Sequence, residues 1–338
     1  MRPFLTMAQA QKQPTARQLA KIDDFYIPAD EEDWNDLVSH KAGLRNETIH
    51  TIPADWIASA SEATEVQSAM IRSYSRPIYP VASFNDKYHQ FGFTTEALDT
   101  AAGILAASAE WSRYMHLLDT NDSIDDIGET STMWPGSFST ARRLQEQTIT
   151  VHGIRDDMQM GQLPDAEDEA IPNAAAIILL QSISQLVHSK LEWVINRVHF
   201  GSQFHQTKST AYTDGALRSK NTIGIFAIVE VKRRMRQVNT DAILTQEACE
   251  VAGWSMSCHG QMAHFNEHFL LISQDRHELF ITFVPFDKGY EECLSNGQNT
   301  DAFLVMRTFG PFDTGSVNDM HEFGRVVLAA ILIVMPVA

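Results

Sequence analysis

A carboxylate and an ammonium group end the most apolar strand-like segment of the chain. Residues 224–232 are dominated by β-branched and aromatic side chains until Glu230 and Lys232, which stand two positions apart. Because alternate side chains of a strand share one face, both charges point the same way, about 7 Å apart along the strand. One interpretation is an ordinary ion pair at a solvated sheet edge. The other is a metal-dependent phosphodiesterase, in which the carboxylate holds a divalent cation and the lysine neutralises developing charge.

The elements around this segment predict an α/β or α+β fold with a mixed central sheet flanked by helices. Both faces of residues 224–232 are apolar, so we expect a buried central strand. A strand over 191–198, joined to it by a polar loop at 202–220, should pair with it and bring Glu192 near Glu230. Helical spacing over 94–118 predicts a helix that carries Glu110. The run at 174–180 could start a helix or form a buried strand, and a strand near 177–180 is favoured. The other predicted elements are a helix over 244–262, a hairpin of 268–273 and 277–284, a strand over 302–308, and a closing helix to about Met335 that starts with a capping box at Ser316.

Length and composition are those of an intracellular globular protein. The chain has 338 residues, 44% of them hydrophobic, and a net charge of −17, which disfavours a surface tuned to nucleic acid throughout but allows a local basic groove. Three well-separated cysteines give no disulfide framework, which indicates a reducing cytoplasm or nucleus. No signal peptide is evident, and the longest apolar run is too short to cross a membrane. We interpret residues 1–20 as a mobile arm, 21–90 as a helical and loop extension packed on the core, and 91–338 as the main domain, with acidic loops at 119–130 and 155–171.

Three short stretches follow one another in an order known from a nuclease family. Residues 109–116 read Ala-Glu-Trp-Ser-Arg-Tyr-Met-His, residues 212–218 read Tyr-Thr-Asp-Gly-Ala-Leu-Arg ahead of the Glu-x-Lys segment, and residues 250–254 read Glu-Val-Ala-Gly-Trp. Their order and spacing resemble the PD-(D/E)XK nuclease superfamily, in particular its nuclease-like branch in fungal genomes. The resemblance covers about residues 90 to 335. It implies a restriction-endonuclease-like core in the domain over 91–338, preceded by the helical extension.

The same resemblance implies an active site that uses Mg²⁺ or Mn²⁺. Glu230 would be the metal-binding acid of the core motif, Lys232 the catalytic lysine and Glu110 the acid carried by the helix. Glu192 stands where the family has a strand aspartate, and Asp214 is the alternative second metal-binding acid. Glu192 is one methylene longer than the aspartate of the family. Because Mg²⁺ demands near-ideal octahedral geometry, this difference affects how the carboxylate could bind the metal.

Two classes of substrate remain open for these residues. A nucleic acid would meet the basic side chains before and after the Glu-x-Lys pair, namely Arg218, Lys220, Arg233, Arg234 and Arg236. A small apolar or carbonyl-bearing molecule would instead undergo metal-free acid–base or cyclisation chemistry, as in fungal secondary metabolism, in a pocket lined by Trp193, Trp254 and Phe226. The acidic composition, Glu192, and a glutamate at position 250 where the family often has glutamine favour this repurposed enzyme. The intact pair of Glu230 and Lys232 favours the Mg²⁺-dependent nuclease, which is the leading interpretation. An inactive binding module is a further alternative, no membrane partner is expected, and a homo-oligomer is left open.

Other catalytic patterns have little support in the sequence. His264 and His268 have the spacing of one helical turn, with Cys258 and His259 nearby, but no paired cysteines complete a zinc site. No Gly-x-Ser-x-Gly, Gly-x-Gly-x-x-Gly or Walker motif occurs, which argues against a serine hydrolase and a nucleotide-cofactor enzyme.

Overall fold

The computed structural model of the protein describes residues 15–149, 168–204, 207–222, 224–257, 264–298 and 300–337. Of the predicted N-terminal arm, residues 1–14 lie outside these ranges, and Thr15 caps a short helix that follows. Most of the predicted acidic loop at 155–171 also lies outside them. Within the ranges given, no helix is both long and apolar enough to cross a membrane.

Seven strands form one mixed sheet, and two more form a separate ribbon. The strands are β1 (Ser73–Ser75), β2 (Leu191–Val194), β3 (Val198–Phe204), β4 (Thr207–Thr213), β5 (Gly215–Ser219), β6 (Ile225–Lys232), β7 (His268–Asp275), β8 (Glu278–Pro285) and β9 (Leu304–Asp313). The order across the sheet is β1-β9-β8-β7-β6-β5-β2, and β3 pairs with β4. The β1–β9 and β6–β7 pairs are parallel, and the other pairs are antiparallel. This confirms the predicted mixed α/β architecture.

Helices cover both faces of this sheet. They are α1 (Ala16–Leu19), α2 (Glu31–Ser39), α3 (Glu65–Met70), α4 (Phe84–Lys87), α5 (Thr95–Ala107), α6 (Ala109–Thr120), α7 (Ser139–Ile149), α8 (Ala170–Ser184), α9 (Thr240–Ser257), α10 (His264–Glu267), α11 (Lys288–Asn296) and α12 (Val317–Val334). One apolar core joins Val229 to residues of α5, α6, α8 and α12. A second core joins Ile228 to residues of α2, α3, α9 and α11. Because adjacent residues of a strand point to opposite faces, the two cores lie on opposite sides of the sheet.

The predicted central strand is confirmed, but its neighbours differ from the prediction. Ile228 and Val229 are both 0% exposed, as expected for a strand with helices on each face. The segment at 191–198 does not pair with β6, because β5 lies between β2 and β6. The predicted polar loop at 202–220 in fact contains the end of β3 and all of β4 and β5.

The helices differ from the prediction at three places. Residues 177–180 belong to α8 rather than to a strand, because this helix is buried on most of its circumference and its sequence lacks a polar stripe. The helix predicted over 94–118 is two helices that meet at Ser108, whose extended backbone ends α5 and whose hydroxyl caps α6 at Trp111 N. The helix predicted over 244–262 begins earlier, at Thr240, and its predicted end lies outside the described residues.

The C-terminal elements follow the prediction closely. The strands β7 and β8 form the predicted hairpin, although β7 continues to Asp275 and the turn falls at Arg276 and His277. The helix α12 starts after Ser316, whose side chain accepts a hydrogen bond from Asp319 N. The strand predicted over 302–308 is β9. Ser73 and Ser75 of β1 align with Leu304 and Met306, so the extension at 21–90 adds an edge strand to the sheet.

Candidate active site

Glu230 and Lys232 lie on the face of β6 that α9 covers. Glu230 is only 2% exposed, whereas the Lys232 side chain is 20% exposed and reaches the surface. The ammonium donates to Oε1 of Glu230 in a short ion pair. The pair therefore runs from the protein interior to solvent, which corresponds to a partly buried charged site rather than a solvated sheet edge.

Two side chains of α9 complete the inner part of the site. Gln246 and Glu250 are four residues apart and therefore neighbours on one helix face. The amide nitrogen of Gln246 donates to Oε1 of Glu230 over 2.6 Å and to Oε1 of Glu250 over 2.8 Å. Glu250 is 0% exposed. One amide thus holds two buried carboxyl groups side by side.

Asp214 approaches the same strand from the junction of β4 and β5. Its Oδ2 accepts a hydrogen bond of 3.0 Å from Val231 N, in the middle of the Glu-x-Lys motif. Its Oδ1 lies 3.9 Å from Nε of Arg197, whose side chain is 73% exposed. The hydrogen bond fixes the carboxylate of Asp214 against the backbone between Glu230 and Lys232.

A fourth acid, Glu169, stands directly before α8. It is partly buried, and the charges of Lys232, Asp214, Arg197 and Arg233 all act on its pKa. We refer to Glu169, Asp214, Glu230, Glu250, Lys232 and Gln246 as the acidic cluster.

Burial raises the pKa of every acid in this cluster. For Glu230, burial and the neighbouring Glu250 raise the pKa well above its ordinary value, although Lys232 opposes the shift. Burial raises the pKa of Glu250 to about 8, and it also raises the pKa of Asp214 and Glu169. Burial alone would lower the pKa of Lys232, but the ion pair with Glu230 more than reverses this and raises it, so the ammonium stays charged. Negative charge is therefore in excess at this site, and a proton or a cation would relieve it.

The two buried glutamates each keep one oxygen without a partner. Oε2 of Glu230 and Oε2 of Glu250 are buried and accept no hydrogen bond. Leaving a buried acceptor unpaired costs about 1–3 kcal/mol, so such atoms call for a ligand or a proton.

The structure does not bring Glu110 or Glu192 to this site, so the predicted convergence was wrong for both. Glu110 on α6 accepts hydrogen bonds from Ser137 N and Oγ at 3.0 and 2.7 Å. It holds the turn at Gly136, where an added Cβ would lie 2.2 Å from its carboxyl group. Glu110 thus has a structural role at the α6 surface.

Glu192 lies on the edge strand β2 and pairs with Arg218 of β5, away from the acidic cluster. Nε and Nη2 of Arg218 both lie 2.9 Å from its Oε1. In the strand register Glu192 aligns with Arg218, which aligns with Ile225, five residues before Glu230. At about 3.3 Å per residue this is about 16 Å along β6, with β5 in between. Asp214, the predicted alternative, lies next to the Glu-x-Lys motif instead, through its hydrogen bond from Val231 N.

Other predicted substrate residues are spread over different environments. Lys220, Glu192 and Trp193 line a cleft of about 390 Å³ beside the end of α8. Trp254 is buried in the core against Phe269. Neither tryptophan is in the acidic cluster, so a pocket that combines both with Glu230 is not formed.

Arg236 was predicted to contact phosphate, and its burial makes that prediction wrong. It is 2% exposed and forms ion pairs of 2.5 Å with Asp275 and with Glu247 of α9. Its guanidinium also lies 4.2 Å from the centre of the Phe280 ring. Arg233 and Arg234, by contrast, are exposed directly after β6, where the predicted contact with substrate remains a prediction.

Sequence reasoning missed Gln246 and Glu169. Gln246 could have been found, because it is the position one helical turn before Glu250 on the helix that follows the Glu-x-Lys strand. Glu169 gave no signal, because it falls in an acidic run and precedes a segment that was interpreted as a strand.

The oxygen ligands of the cluster suit a hard cation chemically, although its carboxylates do not form a complete coordination site. All of its acids offer oxygen, and two of the oxygens lack partners. Among the residues the structure describes, no group of three or more His, Cys, Asp or Glu side chains has the arrangement of a metal site. Mg²⁺ is commonly held by only one or two carboxylates, with water and substrate phosphate as the other ligands. Asp214 and Glu230 therefore fit as a minimal pair.

The chain was compared with families, curated proteins and solved structures. No family model matches it, and neither a curated protein nor a solved structure does.

Proposed function

We propose that this protein is a nuclease-like enzyme that hydrolyses phosphodiester bonds of nucleic acid with Mg²⁺ or Mn²⁺ at the acidic cluster. The observation that supports the proposal most is the meeting of the Glu230–Lys232 ion pair with Asp214 and Glu250 around two unpartnered carboxylate oxygens. An acid before a helix, an acid before a strand, a Glu-x-Lys strand and a following helix occur here in the order of the PD-(D/E)XK superfamily. In this proposal Glu169 and Asp214 would act in place of Glu110 and Glu192.

The charge and exposure of each residue in the acidic cluster suggest its role in the reaction. Asp214 and Glu230 would hold the cation, which when bound would polarise the phosphoryl group and favour a deprotonated attacking water. Lys232 stays protonated because of Glu230, and its partly exposed ammonium would neutralise charge that develops on the phosphate oxygens. Gln246 orients the carboxyl groups of Glu230 and Glu250 by donating to one oxygen of each.

Calorimetric titration with Mg²⁺ and Mn²⁺, together with a cleavage assay on single- and double-stranded DNA and RNA, tests this function. We expect binding of divalent metal, cleavage that EDTA abolishes, and loss of metal binding in Glu230→Gln. Glu192→Gln is the matched control, because its carboxylate is distant from the cluster and pairs with Arg218. Lack of both metal binding and cleavage would rule out the nuclease.

A second candidate is metal-free acid–base chemistry on a small molecule. The observation that favours it is the burial of Glu250, which is 0% exposed and is held beside Glu230 by Gln246. This burial raises the pKa of Glu250 to about 8, so its carboxyl group can donate a proton near neutral pH. Activity on a carbonyl-bearing substrate would then be insensitive to EDTA and lost in Glu250→Gln. An inactive binding module would bind a ligand without turnover in either assay.

A further inference from the structure

The ribbon of β3 and β4 has one buried and one exposed face. Phe200, Ser202 and Phe204 of β3 are buried, as are Ser209 and Ala211 of β4. The alternate positions form the outward face, namely His199, Gly201 and Gln203 on β3 and Lys208, Thr210 and Tyr212 on β4. Each of them except Thr210 is exposed. Two of these exposed positions, one on each strand, carry aromatic side chains.

Those two aromatic side chains form a pair. His199 and Tyr212 are directly opposite in the strand register, and their ring centres are 5.0 Å apart at an angle of 41°. Tyr212 is 50% exposed. The next position on the same face is Gly201, and a Cβ there would lie 3.7 Å from the imidazole of His199. A glycine inside a strand often marks a place where a ligand approaches the backbone closely. The surface beside the ring pair is thus flat and open.

The outward face leads directly into the acidic cluster. Two residues after Tyr212 comes Asp214, and two residues before His199 comes Arg197, and their side chains lie 3.9 Å apart. Two strand residues span about 7 Å, so the ring pair lies close to Asp214, whose largely buried carboxylate is reached past the exposed Arg197. Arg197 is 73% exposed, and Lys208 lies exposed at the far end of the ribbon. Cations therefore stand on both sides of the ring pair, although the protein as a whole is acidic.

From this arrangement we propose that the outward face of the β3–β4 ribbon binds a single-stranded nucleic acid, with a base stacked on the His199–Tyr212 pair and Arg197 on an adjacent phosphate. Aromatic rings flanked by cations are the common basis of single-strand binding, because every base offers a π face. In a duplex the base faces are already stacked and cannot reach the rings. The inference rests on the proposed function and narrows its substrate to single strands delivered next to Asp214.

Binding without turnover tests the inference separately from cleavage. The metal-free protein in EDTA is titrated into fluorescently labelled oligo-dT and oligo-rU of about 12 nucleotides, and anisotropy gives the dissociation constant. Tyr212→Ala should weaken binding by about 5- to 150-fold, whereas Tyr212→Phe, which keeps the ring, should bind like the wild type. Ile78→Ala is the control, because Ile78 is another exposed apolar side chain and follows β1 at the opposite edge of the sheet. Circular dichroism confirms that each variant is folded.

The possible outcomes separate the two proposals. Equal affinity of Tyr212→Ala and wild type, tighter binding of the matching duplex, or no binding of any oligonucleotide would each overturn the single-strand surface. Metal-dependent cleavage of duplex DNA in the companion assay would still support the nuclease in those cases. Single-strand binding that depends on Tyr212, combined with no metal binding and no cleavage, would support the surface and rule out the nuclease.

Discussion

The amide nitrogen of Gln246 lies 2.6 Å from Oε1 of Glu230 and joins α9 to the end of β6. The same nitrogen also donates to Glu250, so one neutral side chain supports two buried carboxyl groups. This contact connects the stability of the β6–α9 interface with the geometry of the candidate active site.

Gln246→Met should therefore destabilise the protein by about 1–3 kcal/mol, because it keeps the side-chain length but removes the donor that both glutamates use. Urea denaturation measures the change. Gln237→Met is the control, because Gln237 donates a solvent-exposed hydrogen bond of 3.3 Å to the partly buried Glu278, and we expect a change within about 0.5 kcal/mol. Equal stability of the two variants would contradict the role assigned to Gln246.

Lys232→Met should lower the cleavage rate by about 100- to 1,000-fold while metal still binds. The ammonium acts on charge that develops during the reaction, so its loss should affect the rate constant more than the affinity for substrate. Single-turnover kinetics with the wild type and with Glu192→Gln as control measure this. A similarly large loss of cleavage rate in Glu192→Gln would instead place Glu192 in the active site.

Arg236→Met should destabilise the protein by about 3–5 kcal/mol, because Glu247 and Asp275 would remain buried without their cation. Arg143→Met is the matched control, since Arg143 forms an exposed ion pair with Asp125 and its loss should cost less than about 1 kcal/mol. Thermal and urea unfolding of both variants provide the comparison. A soluble, stable Arg236→Met variant with weakened nucleic-acid binding would instead favour the phosphate contact suggested by the sequence.

Glu250→Gln should reduce the pH dependence of stability. Burial raises the pKa of Glu250 to about 8 from an ordinary 4.5, so between these values the folded protein keeps a proton that the unfolded chain has lost. The free energy of unfolding should therefore fall as pH rises through this window, by up to about 1.4 kcal/mol per pH unit for one such group, and level off above it. Urea denaturation of the wild type and the variant in EDTA at several pH values measures the slope. Identical slopes would show that Glu250 ionises normally in the folded protein.

The sequence was sufficient for the strand β6 and its charged end, because both depend on local patterns. A continuous run of apolar, largely β-branched residues predicts a strand buried on both faces, and Glu230 and Lys232 share a face by strand geometry alone. The closing helix and the β7–β8 hairpin were predictable for the same reason.

The partners of that pair depend on contacts between distant parts of the chain. The inner face of the β3–β4 ribbon carries Ser202, Ser209 and Ala211, whose small or hydroxyl side chains look like a polar loop in the sequence. Because these strands were interpreted as a loop, β2 was predicted to pair with β6, and Glu192 was predicted to lie near Glu230. The burial of Arg236 likewise depends on Asp275, which is 39 residues away, so its basic neighbours suggested a solvent-exposed patch.

The edge strand β1 has a consequence for how the chain is made. Residues 73–75 pair with residues 304–306, so β1 must wait for its partner until the chain has been synthesised 231 residues further. Until then the outer edge of β9 exposes unpaired backbone groups, which can pair with strands of other chains. A version that begins at residue 91 would retain the acidic cluster but keep this edge permanently open, so we expect it to aggregate where the longer chain stays dispersed.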